Sequence, residues 1–236
     1  MHCQTVFKRH ELKYLVDRER QNRISECLLE YIRKSEHKDC TICNLYYDTP
    51  TRLLIRRSME KPVYKEKLRV RSYGTASPDS PVFIELKKKF DRVVYKRRIP
   101  MPERDAMVFL SDNRPVTAST QVAAEIVYFL RLYEEMAPRV FLSYHRVAFE
   151  DPQVRGLRVT FDTDIRWRDE QLSLCEGPGG HPLLPDKTAL MEIKTDGAVP
   201  LWLVRLLADN DVRQTSFSKY GQVHQTLMTR GGAAHA

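Results

Sequence analysis

Lysines and arginines stand two apart along KEKLRVRSYG, residues 65–74, and again along PVFIELKKK, residues 81–89. In an extended strand, alternate side chains point to opposite faces. Lys65, Lys67, Arg69, Arg71 and Tyr73 therefore share one face, opposite Leu68 and Val70. Phe83, Glu85, Lys87 and Lys89 do the same, opposite Val82, Ile84 and Leu86. Guanidinium groups suit bidentate contacts to phosphate oxygens, and ammonium groups neutralise them as point charges. Such a face suits a polyanion, although a single strand of this kind is also what a surface sheet with one face in water presents.

The pattern recurs along the chain. In RHELKYLV, residues 9–16, Arg9, Glu11 and Lys13 lie opposite His10, Leu12 and Tyr14. The segment 93–99 puts Lys96 and Arg98 on one face. The segment 140–150 aligns Tyr144, Arg146 and Ala148, and 157–165 aligns Arg158, Thr160, Asp162 and Asp164. In 190–196, Glu192 and Lys194 oppose Met191 and Ile193.

Further elements must hold these strands in place. A strand over 42–47 ends at Asp48-Thr49-Pro50, and 51–58 reads equally as a short helix or a strand. Asp17 caps a helix with Ile24, Cys27, Leu28, Tyr31 and Ile32 at helical spacing, and Ser119 or Thr120 caps one with Val122, Ile126, Leu130 and Tyr133. Pro200 opens the first turn of a helix that turns Leu201, Val204 and Leu207 inward, and a short helix follows Ser218 and Lys219. The segment 100–115 reads as a polar, Pro-containing excursion, 175–185 as a mobile Gly/Pro loop, and the GGAAHA tail as loose.

Strands at regular intervals with mostly short connections predict an α+β fold, an antiparallel β-barrel or curved sheet with helices packed on the outside. The chain is expected to form one domain over 1–236, with its core at about 7–221. The charged faces then line a lumen. A buried unpaired charge is costly, so such a lumen must be wet or hold a polyanion. Glu11, Glu85 and Glu192 share these faces, where they can pair with the bases or hold a hard cation that bridges phosphates.

Lys and Arg number 39 against 31 acids, a net charge of +8 that favours an anionic partner. Aromatic residues hardly interleave with the basic positions, which disfavours nucleic acid. The sequence has no P-loop, no G-x-S-x-G and no H-E-x-x-H. No apolar run approaches the roughly 20 residues of a membrane span, so no transmembrane segment is expected. The start lacks the apolar stretch of a signal peptide, and five scattered cysteines fit a reducing compartment, so the expected location is cytoplasmic. Cys40 and Cys43 form a lone C-x-x-C without a partner motif; zinc is not expected, and Cys43 reads as a packed thiol. His10 and His145 fall on apolar-side faces, packed or at a rim.

Taken together, FKRHELKYLV, YYDTP, EKPVYKEKLRVRSYG, VFIELKKK, VYKRRI, SYHRVAF, LRVTFDTDI, LMEIK and TSFSKYG resemble, in order, the VTC domain of polyphosphate polymerases, within the triphosphate tunnel metalloenzyme superfamily. The resemblance implies a barrel enclosing a basic tunnel. It implies transfer of the terminal phosphate of ATP to a growing inorganic polyphosphate chain, with Mn2+ or Mg2+ as cofactor. Matched position by position, the family's tunnel bases fall on Lys13, Arg69, Arg71, Lys87, Lys96, Arg146, Arg158 and Lys219. Tyr144 and Ser218 match its neighbouring phosphate contacts, and Glu192 its metal-binding carboxylate. Arg98 and Lys194 join this set from face assignment alone. Related CYTH hydrolases and cyclases open with Glu-x-Glu-x-Lys; here Arg9 stands at the first Glu, which favours the polymerase branch. Larger eukaryotic relatives carry an SPX domain and a membrane anchor, neither expected here, which leaves any membrane-protein partner open. The alternatives are a triphosphatase, with water as acceptor, and a non-catalytic polyphosphate or nucleotide sensor.

Overall fold

A computed structural model describes residues 6–7, 10–35, 39–91, 93–112, 120–150 and 156–233. In chain order the elements are β1 (Val6–Phe7), β2 (His10–Asp17), α1 (Arg18–Leu28), β3 (Arg33–Lys34), β4 (Cys40–Asp48), α2 (Leu53–Met59), β5 (Tyr64–Tyr73), β6 (Pro81–Phe90) and β7 (Val93–Pro102). Then follow α3 (Glu103–Asp112), α4 (Gln121–Leu132), β8 (Ala137–Glu150), β9 (Arg158–Arg168), β10 (His181–Pro182), β11 (Thr188–Thr195), α5 (Leu201–Asp209) and α6 (Lys219–Ala233).

The strands form one antiparallel sheet in the order β1-β7-β6-β5-β4-β8-β9-β11-β2, with β3 on β8 and β10 on β9. Its two edges are held by one N-terminal segment. Val6 and Phe7 pair with Tyr95 and Val94 of β7, while His10–Asp17 pairs along β11 at the opposite edge. The sheet thus curls into a tunnel-type barrel that hydrogen bonds alone do not close.

Apolar faces explain the curl. Leu68 and Val70 of β5 and Val82, Ile84 and Leu86 of β6 pack under Ala106, Phe109 and Leu110 of α3 and Ala123, Ile126, Phe129 and Leu130 of α4. Val16, Val159, Phe161, Met191 and Ile193 pack under Ile24 and Leu28 of α1 and Leu203 and Leu207 of α5. These four helices cover the outside. α2 and α6 lie elsewhere: Ile55 of α2, Tyr220 and Val223 of α6, and Phe217 just before α6, pack on Ile42, Tyr46, Leu142, Tyr144 and Leu190. Those strand residues share the face of Arg69, Arg71, Arg146 and Glu192, so α2 and α6 fill one end of the lumen.

Several local expectations change. Within 51–58 the chain forms a helix, α2 from Leu53, because buried Asp48 accepts from the amides of Leu54 and Ile55 at 2.9 and 3.0 Å and from Tyr220 Oη at 3.0 Å. The expected excursion after residue 100 is instead the end of β7 followed by α3. Pro100 and Pro102 are tolerated there because, among the described residues, β1 pairs with β7 at Val94 and Tyr95 and no strand pairs with that edge at Pro100 or Pro102; residues 113–119 lie outside the described set.

α5 starts after Pro200, which is its N-cap, so the inward stripe is Leu203 and Leu207, while Leu201 and Val204 face outward. Tyr31 stacks on Trp202 at 4.3 Å rather than entering the core. α4 is capped by Thr120, and Ile126 and Leu130 are buried as expected, but Tyr133 turns its hydroxyl to Glu66. α6 is longer than expected and takes in Gly231, Gly232 and Ala233.

The Gly/Pro loop is tied down. The Arg168 guanidinium donates to the carbonyls of Gln171, Ser173, Gly177 and Gly179. Gly180, at φ 131°, permits the close turn, since a Cβ there would meet the Trp167 carbonyl oxygen at 2.4 Å.

Candidate functional site

The charged faces meet in the lumen in two groups, each built on carboxylates. The first surrounds Glu85 of β6. Cross-strand register puts Arg69 of β5 and Arg98 of β7 on either side of it. Glu85 Oε2 accepts from Arg69 Nη2 at 2.7 Å and Nε at 2.9 Å, and lies 3.9 Å from Arg71. Its Oε1 lies 2.8 Å from Lys96 and 3.5 Å from Arg98. Burial raises the Glu85 carboxyl, but Arg69, Arg71 and Lys96 outweigh it and hold the group well below the carboxylate range. Arg69 Nη1 also donates to Tyr46 Oη at 3.1 Å, and Arg71 Nε to Asn44 Oδ1 at 3.0 Å.

The second group surrounds Asp162 of β9 and Glu192 of β11. Asp162 is fully buried and accepts from Arg146 and Lys219. Glu192 lies 2.9 Å from Lys194, 3.4 Å from Lys219, 3.7 Å from Arg146 and 3.8 Å from Lys13. Burial raises the Glu192 carboxyl; Lys219, Lys194, Lys13 and Arg146 overcome this and keep it ionised. Burial lowers the Lys219 ammonium, and Asp162 and Glu192 more than restore it, leaving it above the ordinary lysine value. The Tyr144 ring carries Lys219 at 4.6 Å and Arg146 at 5.1 Å.

The remaining expected residues join these groups. Lys13 Nζ lies 3.1 Å from Glu11 and donates to Phe217 O at 2.8 Å. Lys87 lies between Lys67 and Lys96 in the strand register and feels Glu11 across the lumen. Arg158 sits opposite Lys194, and its Nε is buried without a hydrogen-bond partner. Ser218 Oγ accepts from the amide of Gly221 at 3.2 Å at the start of α6 and lies 3.4 Å from Lys67 Nζ. Every predicted site residue therefore faces the lumen. Asp164 leaves it: a register shift between β8 and β9, with Asp164 at φ 45°, exchanges the faces and turns its carboxylate out to Arg166.

A family profile described as the VTC domain matches residues 8–228. The chain belongs to the VTC domain family. By sequence it matches no curated protein. In fold it is similar to a candidate adenylate cyclase from Bacillus halodurans, at TM-score 0.55 and 14% identity over 91% of this chain and 96% of that one. It is also similar to a candidate adenylyl cyclase from Hippeastrum described as having a dominant triphosphatase activity. That match has TM-score 0.53 and 13% identity over 94% and 96% of the two chains.

In this VTC domain, some lumen residues escape a sequence reading. Asn44 and Tyr46 lie on β4, which is buried on both faces and shows no polar alternation, yet they orient Arg71 and Arg69. Asp162 was visible on the charged face, but not as the partner of two cations. Lys67 was visible on its face and gains importance from its surroundings.

The donor set suits a hard cation of one kind. Among the described residues no three His, Cys, Asp or Glu side chains converge as a metal cluster. Glu192 and Glu11 nevertheless present ionised oxygens to the same stretch of lumen, both beside Lys13. That fits a cation that takes one or two carboxylates from protein and the rest from phosphate and water. No helix among the described residues is long and apolar enough to cross a membrane.

Proposed function

We propose that this VTC domain is a metal-dependent polyphosphate polymerase that transfers the terminal phosphate of ATP to a growing inorganic polyphosphate chain, and that one domain spanning the chain carries the activity. The observation that carries this reading is the lumen's excess of base. Arginines and lysines from β2, β5, β6, β7, β8, β9, β11 and α6 line it, against Glu11, Glu85, Glu150, Asp162 and Glu192. A chain of phosphates supplies the missing negative charge.

Phosphoryl transfer asks mainly for positioning and charge stabilisation. In this reading Arg69 and Arg71, set by Glu85, Tyr46 and Asn44, grip phosphate oxygens, as do Arg146 and Arg158. Lys87, Lys96 and Lys219 neutralise charge as it shifts between donor and acceptor. The acceptor is the end of a phosphate chain, already ionised, so no protein base is needed. Glu192 and Glu11 would hold Mn2+ or Mg2+, which when bound supplies Lewis-acid polarisation of the phosphates. His145, at the rim beside Asp39 at 3.0 Å, takes no part.

A triphosphatase is the second reading, favoured by the description of the Hippeastrum protein. Product analysis with ATP and Mn2+ separates the possibilities. Long polyphosphate is expected. Free phosphate alone would make the protein a triphosphatase, and no turnover with retained binding would make it a sensor.

A further inference from the structure

Lys67 differs from the lumen cations that are paired with a carboxylate. Arg69, Arg71, Lys96 and Arg98 share Glu85, and Lys13, Arg146, Lys194 and Lys219 share Glu192. Among the described residues no carboxylate lies within 4.0 Å of Lys67, whose contact is Ser218 Oγ at 3.4 Å. The charges that face it are positive: Lys65 and Arg69 on its own strand, Lys87 directly across on β6 and Lys13 on β2. Ser218, next to Lys219, faces it from the start of α6. The lumen-facing acid of β2, Glu11, is engaged with Lys194, Lys13 and Lys87. Burial and these like charges bring the Lys67 ammonium down to about 7.

We propose that Lys67 is a proton-loaded phosphate site, a neutral amine in the empty lumen that takes up a proton as a phosphate chain seats beside it. The inference rests on reading the lumen as a polyphosphate site. The step is –NH2 plus a solvent proton giving –NH3+, with no other bond made or broken. An entering phosphate oxygen supplies the counter-charge that no carboxylate provides, so it restores the ammonium. Arginines cannot play this part, since they stay charged throughout. Polyanion binding and proton uptake become one event. Affinity then falls as pH rises above 7, by up to about tenfold per pH unit for one linked proton.

Calorimetric titration of the full chain with inorganic tripolyphosphate tests this. Metal-free measurements at pH 8 in buffers of low and high ionisation enthalpy count the protons taken up. The parent is expected to take up about 0.9 proton more than Lys67→Arg, from a free value near 7. Lys67→Met, which has no titrating group there, should match the Arg variant in proton count while binding more weakly. Equal uptake in the parent and Lys67→Arg overturns the inference alone. Absence of tripolyphosphate binding to the parent overturns the reading of the lumen, and this inference with it.

Discussion

Arg146 closes a two-pronged pair on Asp162, Nε to Oδ1 at 2.5 Å and Nη2 to Oδ2 at 2.6 Å. Lys219 reaches the same carboxylate from α6. Asp162 therefore fixes two lumen cations, Arg146 from the neighbouring strand β8 and Lys219 from α6, and both of its oxygens are engaged. Its removal leaves both cations buried with less compensation. Asp162→Ala should cost about 3–5 kcal/mol of folding stability. Tripolyphosphate should restore more stability to the variant than to the parent, because it returns negative charge to the same place. Urea denaturation with and without tripolyphosphate checks both, and a variant as stable as the parent would mean that solvent already screens the cluster.

Arg69 and Arg71 present the opposite case. Glu85, the acid they share, keeps Lys96 and Arg98 when both are lost. Arg69→Ala/Arg71→Ala should therefore fold normally and lose activity. Two charge-assisted contacts removed amount to about 3 kcal/mol or more, a hundredfold or more in affinity for tripolyphosphate. Unchanged affinity for ATP and polyphosphate would place this face of β5 outside the substrate path.

The crowd of lysines also gives the ligand-free protein an unusual pH profile. Burial and like charge lower Lys67, Lys65, Lys87 and Lys96. A base lowered in the folded state is disfavoured while charged, and the penalty lifts as pH rises from the folded value toward the unfolded one. For Lys67 that window opens at about 7. The carboxylates held low by the same bases are ionised in both states there and add no slope. The Cys43 thiol, pushed up to about 11 by burial, opposes the trend only once unfolded thiols ionise, above about 8.5. Thermal stability at low salt, without phosphate, is thus expected to rise between pH 7 and about 8.5 and to flatten in Lys67→Met. A parent melting temperature that falls across this range would show that these lysines stay well solvated.

Much of this arrangement was legible in the sequence because alternation survives where one strand face is polar. β5, β6, β7 and β11 read directly, and with them Glu85, Lys96, Arg98, Glu192 and Lys194. The signal failed where both faces are buried. β4 hides Asn44, Tyr46 and the α2-capping carboxylate of Asp48 among apolar neighbours. It failed again at Asp164, where one extra residue inverts the faces of β9 without any change in composition. The end-filling role of α2 and α6 depends on strand pairings distant in sequence, which no local period encodes.

Glu192 has two explanations, as the neutralising partner of nearby bases or as a ligand for Mn2+ or Mg2+ between the phosphates. Each base around it has a second acid. Lys13 and Lys194 feel Glu11, and Arg146 and Lys219 hold Asp162. Losing the Glu192 charge alone should therefore destabilise the fold far less than losing Asp162, by about 1–2 kcal/mol. Glu192→Gln keeps the shape and removes the charge. As a metal ligand, its loss should leave metal-free ATP binding intact or tighter, since less negative charge opposes the nucleotide. Turnover should fall about a hundredfold or more, the usual cost of losing charge stabilisation in such a site. As a salt-bridge partner only, its loss should lower the melting temperature and spare metal-dependent turnover. Measuring Mn2+-dependent polyphosphate synthesis and melting temperature on the same variant decides between them. Turnover within about tenfold of the parent, a barrier change of only about 1.4 kcal/mol, would remove Glu192 from the reaction.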